Sequence, residues 1–495
     1  MSLIDSQSGR SAVGAIGAVT ARGARWMFMG QSVKVLTQMV GLVVLSRFLS
    51  PAEFGYVAIA TTVVGLGEVL RDAGLSSAAI RSSTLTAAQR DILFWISVAF
   101  GLILMILVSV FSSVIAASFG VPQLQGILPF LSSVFFLGGI TSQYRANLNR
   151  QMRFAVMAGI DAISPVLGLA VAIAGAIGGL TYWALVLQLM VTSVVTMVLT
   201  IWAGGWCPRR PQRSSGVWPI VKFGGQMTIS QALTYAGNNF DTVALGLYSS
   251  PYSVGIYTRS FQLVMSPLNQ LKSPATAVAI PALSLLRDDS RKFEGYVLRG
   301  QAVIGYLIAP IGALLVGASV PIVNISLGLE WSGASPVVAL LAAAGTMQQL
   351  SGVANWIFVA KGNGKALTNF SLVSLCLKTL CVISLVWFGP IGVAAGYALA
   401  VCLAWPIALT WATKSANIYS GPLLTQAIRL LSVALIAAGG SFAIVQMTAA
   451  LGNLLSLAAA VVSVIAVYAG AIAVPPVRRD LKLVSKTIRM ALSRS

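Results

Sequence analysis

Histidine is absent from this chain, and acids are scarce: 12 Asp and Glu stand against 32 Lys and Arg in 495 residues. Without histidine there is no imidazole base, no Ser-His or Cys-His pair, and none of the commonest metal ligand. The four cysteines show neither disulfide-framework nor zinc-ligand spacing. Cys207 falls in a basic stretch, and Cys376, Cys381 and Cys402 fall in apolar runs. No metal site and no cofactor is expected. Charged residues make up only 9% of the chain, against about 25% in a soluble protein. With 57% of residues hydrophobic, that excludes a sizeable soluble domain. Long polar connections are missing as well; the longest polar stretches are the N-terminus and the tail from Pro475 to Ser495. No secretory signal peptide is evident, since Ser11 to Thr20 is short and Gly/Ala-rich and no polar mature domain follows.

What is present is apolar length. About fourteen runs reach the ~20 residues that cross a bilayer at 1.5 Å rise, from Trp26–Phe48 and Phe54–Ala73 to Ala427–Met447 and Leu454–Ala473. The expected fold class is an all-α polytopic membrane protein. An even number of spans puts both termini on one side. Basic residues crowd that side: Arg22 and Arg25 before the first span, Arg81 and Arg90 after the second, Arg145, Arg150 and Arg153 after the fourth, and Arg209, Arg210 and Arg213 after the sixth. The tail adds Arg478, Arg479 and Lys482, while the opposite loops carry Arg47 alone. Positive-inside makes the crowded side cytoplasmic. The net charge of +20 is then mostly topology, and no nucleic-acid partner follows from it. The basic tail is expected to lie on anionic membrane lipid.

The chain also repeats. Gln31, Val43, Leu45, Ser50, Pro51 and Gly55 recur without a gap as Gln231, Val243, Leu245, Ser250, Pro251 and Gly255. Ser50-Pro51-Ala-Glu53 has capping-box spacing with Pro at the first helical position; the second copy keeps Ser250-Pro251 and loses the Glu. Each copy opens a block of about six spans, so the repeat is parallel and its axis runs along the membrane normal. The expected organisation is a cytoplasmic segment over 1–25, a first lobe over 26–205, a cytoplasmic inter-lobe loop over 206–222 and a second lobe over 223–412. Two added spans over 413–474 and a basic tail over 475–495 complete it. The two six-span lobes are expected to be pseudo-symmetric and to face a central cavity.

Ionisable groups inside spans are costly and mark cavities or functional pathways. Here they are Lys34, Glu68, Arg71, Asp72, Asp161, Asp241, Arg259, Lys272 and Lys378. Three polar stripes run at helical spacing. Span one offers Gln31, Lys34 and Gln38. Span seven offers Gln231, Thr234, Asn238 and Asp241. Span eight offers Arg259, Gln262, Ser266, Asn269 and Lys272. Interhelical packing accounts for neutral polar residues at depth, but it does not need Lys and Arg there. These stripes are therefore expected to line a wet, partly cationic cavity suited to an anionic, hydroxyl-rich substrate. Glu68, Arg71 and Asp72 form a cluster within one turn at the cytoplasmic end of span two, read as a gate or ion-pair set. Asp161 and Asp241 stand as lone acids in apolar surroundings and are candidates for ion coupling.

At this point the chain resembles a family. Arg47-Phe-Leu-Ser-Pro-Ala-Glu-Phe-Gly55, Asp72-Ala-Gly-Leu-Ser-Ser-Ala-Ala-Ile-Arg81 and Asn147-Leu-Asn-Arg-Gln-Met-Arg-Phe154 resemble the polysaccharide transporter (Wzx-type) flippases. These belong to the multidrug/oligosaccharidyl-lipid/polysaccharide exporter superfamily, and the branch is similar to the colanic-acid, succinoglycan and teichuronic-acid exporters. The resemblance implies two six-helix bundles, alternating access, and an undecaprenyl-diphosphate-linked oligosaccharide as cargo, for exopolysaccharide or lipopolysaccharide assembly. It also implies a cationic cavity, for which Lys34, Arg259 and Lys272 are the local candidates, and a polysaccharide polymerase or export machinery as partner. Two other readings stay open. A cation-coupled drug exporter of the same superfamily would favour a more acidic or aromatic cavity. A membrane-embedded polymerase or ligase would need a large loop and catalytic groups on it, and this chain offers only short turns and no histidine.

Overall fold

The computed structural model describes residues 4–72, 86–211 and 217–492. The motif residues Ala73 to Arg81, and Arg213 of the inter-lobe loop, lie outside the described residues. The described residues fold as helices and turns, with no strand among them. The long helices are α1 (Ile4–Leu45), α2 (Pro51–Asp72), α3 (Ala87–Val110), α4 (Leu124–Arg150), α5 (Phe154–Ile177), α6 (Trp183–Gly204), α7 (Val217–Tyr248) and α8 (Pro251–Leu285). They continue with α9 (Ser290–Gly317), α10 (Ser335–Ala360), α11 (Gly364–Leu385), α12 (Gly389–Ser415), α13 (Gly421–Thr448), α14 (Asn453–Ala471) and α15 (Pro475–Leu492).

Eleven segments among the described residues are long and apolar enough to cross a membrane, against the expected fourteen or so. The difference has two physical sources. Residues 364–415 form one apolar segment but two helices, α11 and α12. The helices α7 and α8, with 32 and 35 residues, are long enough to span, yet their polar stripes dilute the apolar run. The lipid-facing character of the helices is plain on α3. Ile103, Ile106, Leu107 and Val110, at i, i+3, i+4 and i+7, are about half exposed or more, an apolar face that a water-soluble protein would cover.

Two compact units divide the chain, Met1–Val243 and Ala244–Ser495, and the division falls within α7. In the first unit α3 packs along α4, α5 along α6, and α1 along α5. Small residues permit the closest of these contacts: a Cβ on Gly101 would collide with the backbone of Phe135, and one on Gly139 with the backbone of Ser97. Close backbone approach of this kind is how helices associate where burial from water gives no drive. In the second unit α10 packs against α8, α9 and α12, and α13 lies between α9 and α14.

Turns between helices are tight. Gly120 and Gly179 adopt φ of +64° and +79°, a region open to glycine at little cost. The capping box at the start of α2 forms: Ser50 N donates to Glu53 Oε2 at 2.7 Å, and Glu53 N donates to Ser50 Oγ at 3.5 Å. At α8, Ser250 caps through Oγ alone, accepting from Ser253 N at 3.4 Å. Helix α8 contains Pro267, Pro274 and Pro281, each of which removes one ladder hydrogen bond without ending the helix.

Candidate functional site

A cavity of about 410 Å³ opens within the first unit, walled by α2, α4, α5 and α6. Helix α2 contributes Glu68, Arg71 and Asp72. Helix α4 contributes Thr141, Ser142, Arg145 and Asn149, and α6 contributes Thr192, Ser193 and Thr196. Four of these hydroxyls donate to their own helices: Thr141 to Leu137 O at 2.8 Å, Ser142 to Gly139 O at 3.0 Å, Thr192 to Gln188 O at 2.7 Å, and Thr196 to Thr192 O at 2.7 Å. Their hydrogens are thus committed to backbone, and the oxygen lone pairs remain as acceptors. Two arginines supply the donors. Arg71 lies against Gly138 so closely that a Cβ there would overlap its guanidinium, and its Nε is buried without a hydrogen-bond partner among the described residues. The expected cluster of Glu68, Arg71 and Asp72 therefore shares one polar cavity.

Asp161 is not a lone acid. Nη2 of Arg145 reaches both of its carboxylate oxygens, at 2.8 and 3.1 Å. The expectation failed for a geometric reason. Apolar length places Arg145 in the loop after span four, but α4 continues to Arg150, which keeps Arg145 inside the helix and opposite Asp161 on α5. Both side chains are about one-third exposed, so solvent reaches the pair, and Arg145 lines the cavity.

In the second unit the stripe of α8 is held by hydrogen bonds within the helix and to α10. Nη1 of Arg259 donates to Gln262 Oε1 at 2.7 Å. Asn269 Oδ1 accepts from Gln349 Nε2 of α10 at 3.0 Å, and Thr276 Oγ1 accepts from Trp356 Nε1 at 3.1 Å. Lys272 runs along α10 over Gly352, where a Cβ would meet its Cε and Nζ. Ser266 is half-buried on the same helix. Lys378 of α11 sits over the ring of Tyr397 at 5.2 Å, a cation–π contact; Tyr397 in turn packs edge-on to Phe261 of α8 at 5.8 Å.

The two remaining stripes differ in exposure. On α1, Gln31, Lys34 and Gln38 are exposed. On α7, Gln231 is half-buried, Thr234 and Asn238 are exposed, and Asp241 is buried at 2% exposure, with its Oδ1 accepting from Thr242 N at 3.2 Å. Between them lies Tyr235, which the sequence reading passed over. Its hydroxyl donates to Thr62 O of α2 at 3.2 Å, against Gly65. The reading also missed the polar wall of α4. Thr141, Arg145 and Asn149 repeat every four residues, a helical stripe as regular as the three that were found.

The chain's place among known proteins agrees with this architecture. A family profile described as "Polysaccharide biosynthesis protein" matches residues 44–336. The lipopolysaccharide biosynthesis protein WzxC of Escherichia coli (strain K12) is 22% identical over 387 residues, 77% of this chain and 78% of that protein. The teichuronic acid biosynthesis protein TuaB of Bacillus subtilis (strain 168) is 24% identical over 350 residues, 69% of this chain and 71% of that protein. Among solved structures, the lipid II flippase MurJ in an inward closed conformation superposes with a TM-score of 0.68 at 13% identity, covering 90% of this chain and 98% of that one. At that identity the likeness is one of fold.

Proposed function

This chain belongs to the polysaccharide biosynthesis protein family, and on that premise we propose that it is a flippase. Its cargo is an oligosaccharide repeat unit on a polyprenyl diphosphate, carried across a bacterial inner membrane by alternating access for assembly of an extracellular or surface polysaccharide. The relatives named for lipopolysaccharide and teichuronic acid biosynthesis support the class of cargo. The observation that carries the reading is the stripe of α8. A helix within a membrane protein holds Arg259, Gln262 and Asn269 in hydrogen bonds and carries Lys272 on the same stripe, and helix packing alone does not call for two cations there.

The chemistry follows from the cargo. A diphosphate bears about two negative charges, and moving it unpaired through hydrocarbon costs many kcal/mol. Arg259 offers a planar fork for phosphate oxygens, and Lys34 and Lys272 offer point charges. Gln262, Ser266, Asn269, Thr234, Asn238, Gln31, Gln38 and Gln231 exchange water hydrogen bonds on the sugar for protein ones. Glu68, Arg71 and Asp72 serve as the cytoplasmic gate, with their cavity opening and closing as the access state changes. No bond is made or broken, so the protein acts as a transporter rather than an enzyme. Polymerase and export components receive its product. Both termini lie in the cytoplasm.

The test is export in a strain lacking the chromosomal copy. Arg259→Ala and Lys34→Ala should each abolish polymer export at normal protein level, with lipid-linked oligosaccharide accumulating on the cytoplasmic side. Arg259→Lys should retain part of the activity, because charge survives while the fork is lost. Normal export by both Ala variants would refute the cationic reading of these stripes.

A further inference from the structure

The last helix stands apart from the spans. Three residues separate the end of α14 from the start of α15, which carries a single acid, Asp480, among many bases. That acid is turned inward and is 4% exposed. Its carboxylate is held from two helices: Gln426 Nε2 of α13 donates to Oδ1 at 3.1 Å, Arg429 Nε donates to Oδ2 at 3.0 Å with Nη2 beside it, and Tyr306 OH of α9 donates to Oδ2 at 3.3 Å. Val477, one turn earlier on the same side, is buried at 1% exposure. Rotating α15 about its axis would strip a buried carboxylate of its donors, which is among the costlier changes a folded protein can undergo. The network therefore fixes the helix rotation, and Arg478, Arg479 and Lys482 are what that rotation leaves exposed.

We propose that α15 is a binding surface for anionic phospholipid, in which Asp480 sets the register and Arg478, Arg479 and Lys482 meet the phosphates. Only three residues connect it to the membrane-spanning α14, so α15 starts within about 10 Å of the end of that span. The charge pattern selects the partner, because the one acid is neutralised inside and the described outer face presents cations. A cytoplasmic leaflet is anionic, and each Lys or Arg near it strengthens binding by about fivefold. The surface is independent of the cargo, so the proposal stands or falls apart from the flippase reading.

The experiment uses the purified full-length protein in detergent, titrated with phosphatidylglycerol and, in parallel, phosphatidylcholine, with thermal unfolding as the readout. Wild type should be stabilised by phosphatidylglycerol, and the effect should weaken as salt is raised. The Arg478→Gln/Arg479→Gln/Lys482→Gln variant should need on the order of 100-fold more phosphatidylglycerol for half the effect. Asp480→Asn is the decisive variant. It makes the tail more positive, so a charge-only attraction would bind lipid more tightly; the register argument requires binding at least about tenfold weaker. Where Asp480→Asn does not purify, Tyr306→Phe/Gln426→Ala loosens the same network with the charge retained and should also weaken binding. Unchanged phosphatidylglycerol response in the triple variant, or equal stabilisation by phosphatidylcholine, would overturn the lipid site. Tighter or unchanged binding in both register variants would overturn the role of Asp480.

Discussion

The same device appears in both units and is furnished differently. In the first unit Arg71, at the end of α2, lies over Gly138 of α4; in the second, Lys272 of α8 lies over Gly352 of α10. These helices are the second and fourth of each repeated block, so each block places a cation against a glycine at a corresponding helix pair. The surroundings then diverge. Arg71 shares its cavity with Glu68 and Asp72 and with Arg145, which is paired to Asp161. Lys272 follows a row of amides and hydroxyls, Gln262, Ser266 and Asn269, bonded in part to Gln349. Acid beside cation suits a contact that opens and closes, because the partners satisfy each other when no ligand is present. Amide beside cation suits a ligand that brings its own negative charge. The two helix pairs thus share a close approach of cation to glycine and differ in what surrounds the cation.

The sharpest way to break this comparison is to fill the two glycines. Gly138→Ala forces the Arg71 guanidinium out of its place, and overpacking of this kind costs about 1–3 kcal/mol. Gly352→Ala meets only the flexible end of Lys272 and should cost less than about 1 kcal/mol. Thermal unfolding of the purified variants measures both, and equal losses would remove the distinction. Next comes the ion pair. Asp161→Ala leaves Arg145 facing the cavity alone. Since both partners are partly hydrated, the loss should be about 1–2 kcal/mol, below the 3–5 of a fully buried pair. A double-mutant cycle with Arg145→Ala should recover part of it, and strict additivity would show that the two do not interact. The smallest effect lies at the repeated turn. Glu53→Ala should destabilise by about 1 kcal/mol or less by opening the capping box, and Ser253→Ala by only a few tenths, because the second copy has no box to open.

Much of this was legible from local pattern. Helix positions follow from apolar length, the start of α2 from Ser50 and Glu53, and the α8 stripe from its spacing. These are properties of neighbours in the chain, and helical periodicity alone decides them. The failures are contacts that no local pattern encodes. Arg145 and Asp161 belong to different helices, and one misplaced helix end turned a paired acid into a lone one. The donors to Asp480 come from residues 51 to 174 positions away, so the sequence showed only a basic tail. The stripe of Thr141, Arg145 and Asn149 has helical spacing, but it runs past the apolar part of the span, and apolar length alone puts Arg145 in a loop.

The three prolines of α8 give that helix a mechanical grain. Pro267, Pro274 and Pro281 recur every seven residues, and seven residues return a helix to the same side within ~20°. Each leaves one carbonyl of the preceding turn without its ladder partner, and each ring pushes the helix away from its own side. Three such points on one side bend in a common plane, so the compliance of α8 accumulates in that plane instead of scattering around the axis. A helix built this way behaves as a leaf spring. Its ends can travel while neighbouring side chains on the stripe keep their spacing, and a ligand held by several of them can be carried through a bend without being released one contact at a time.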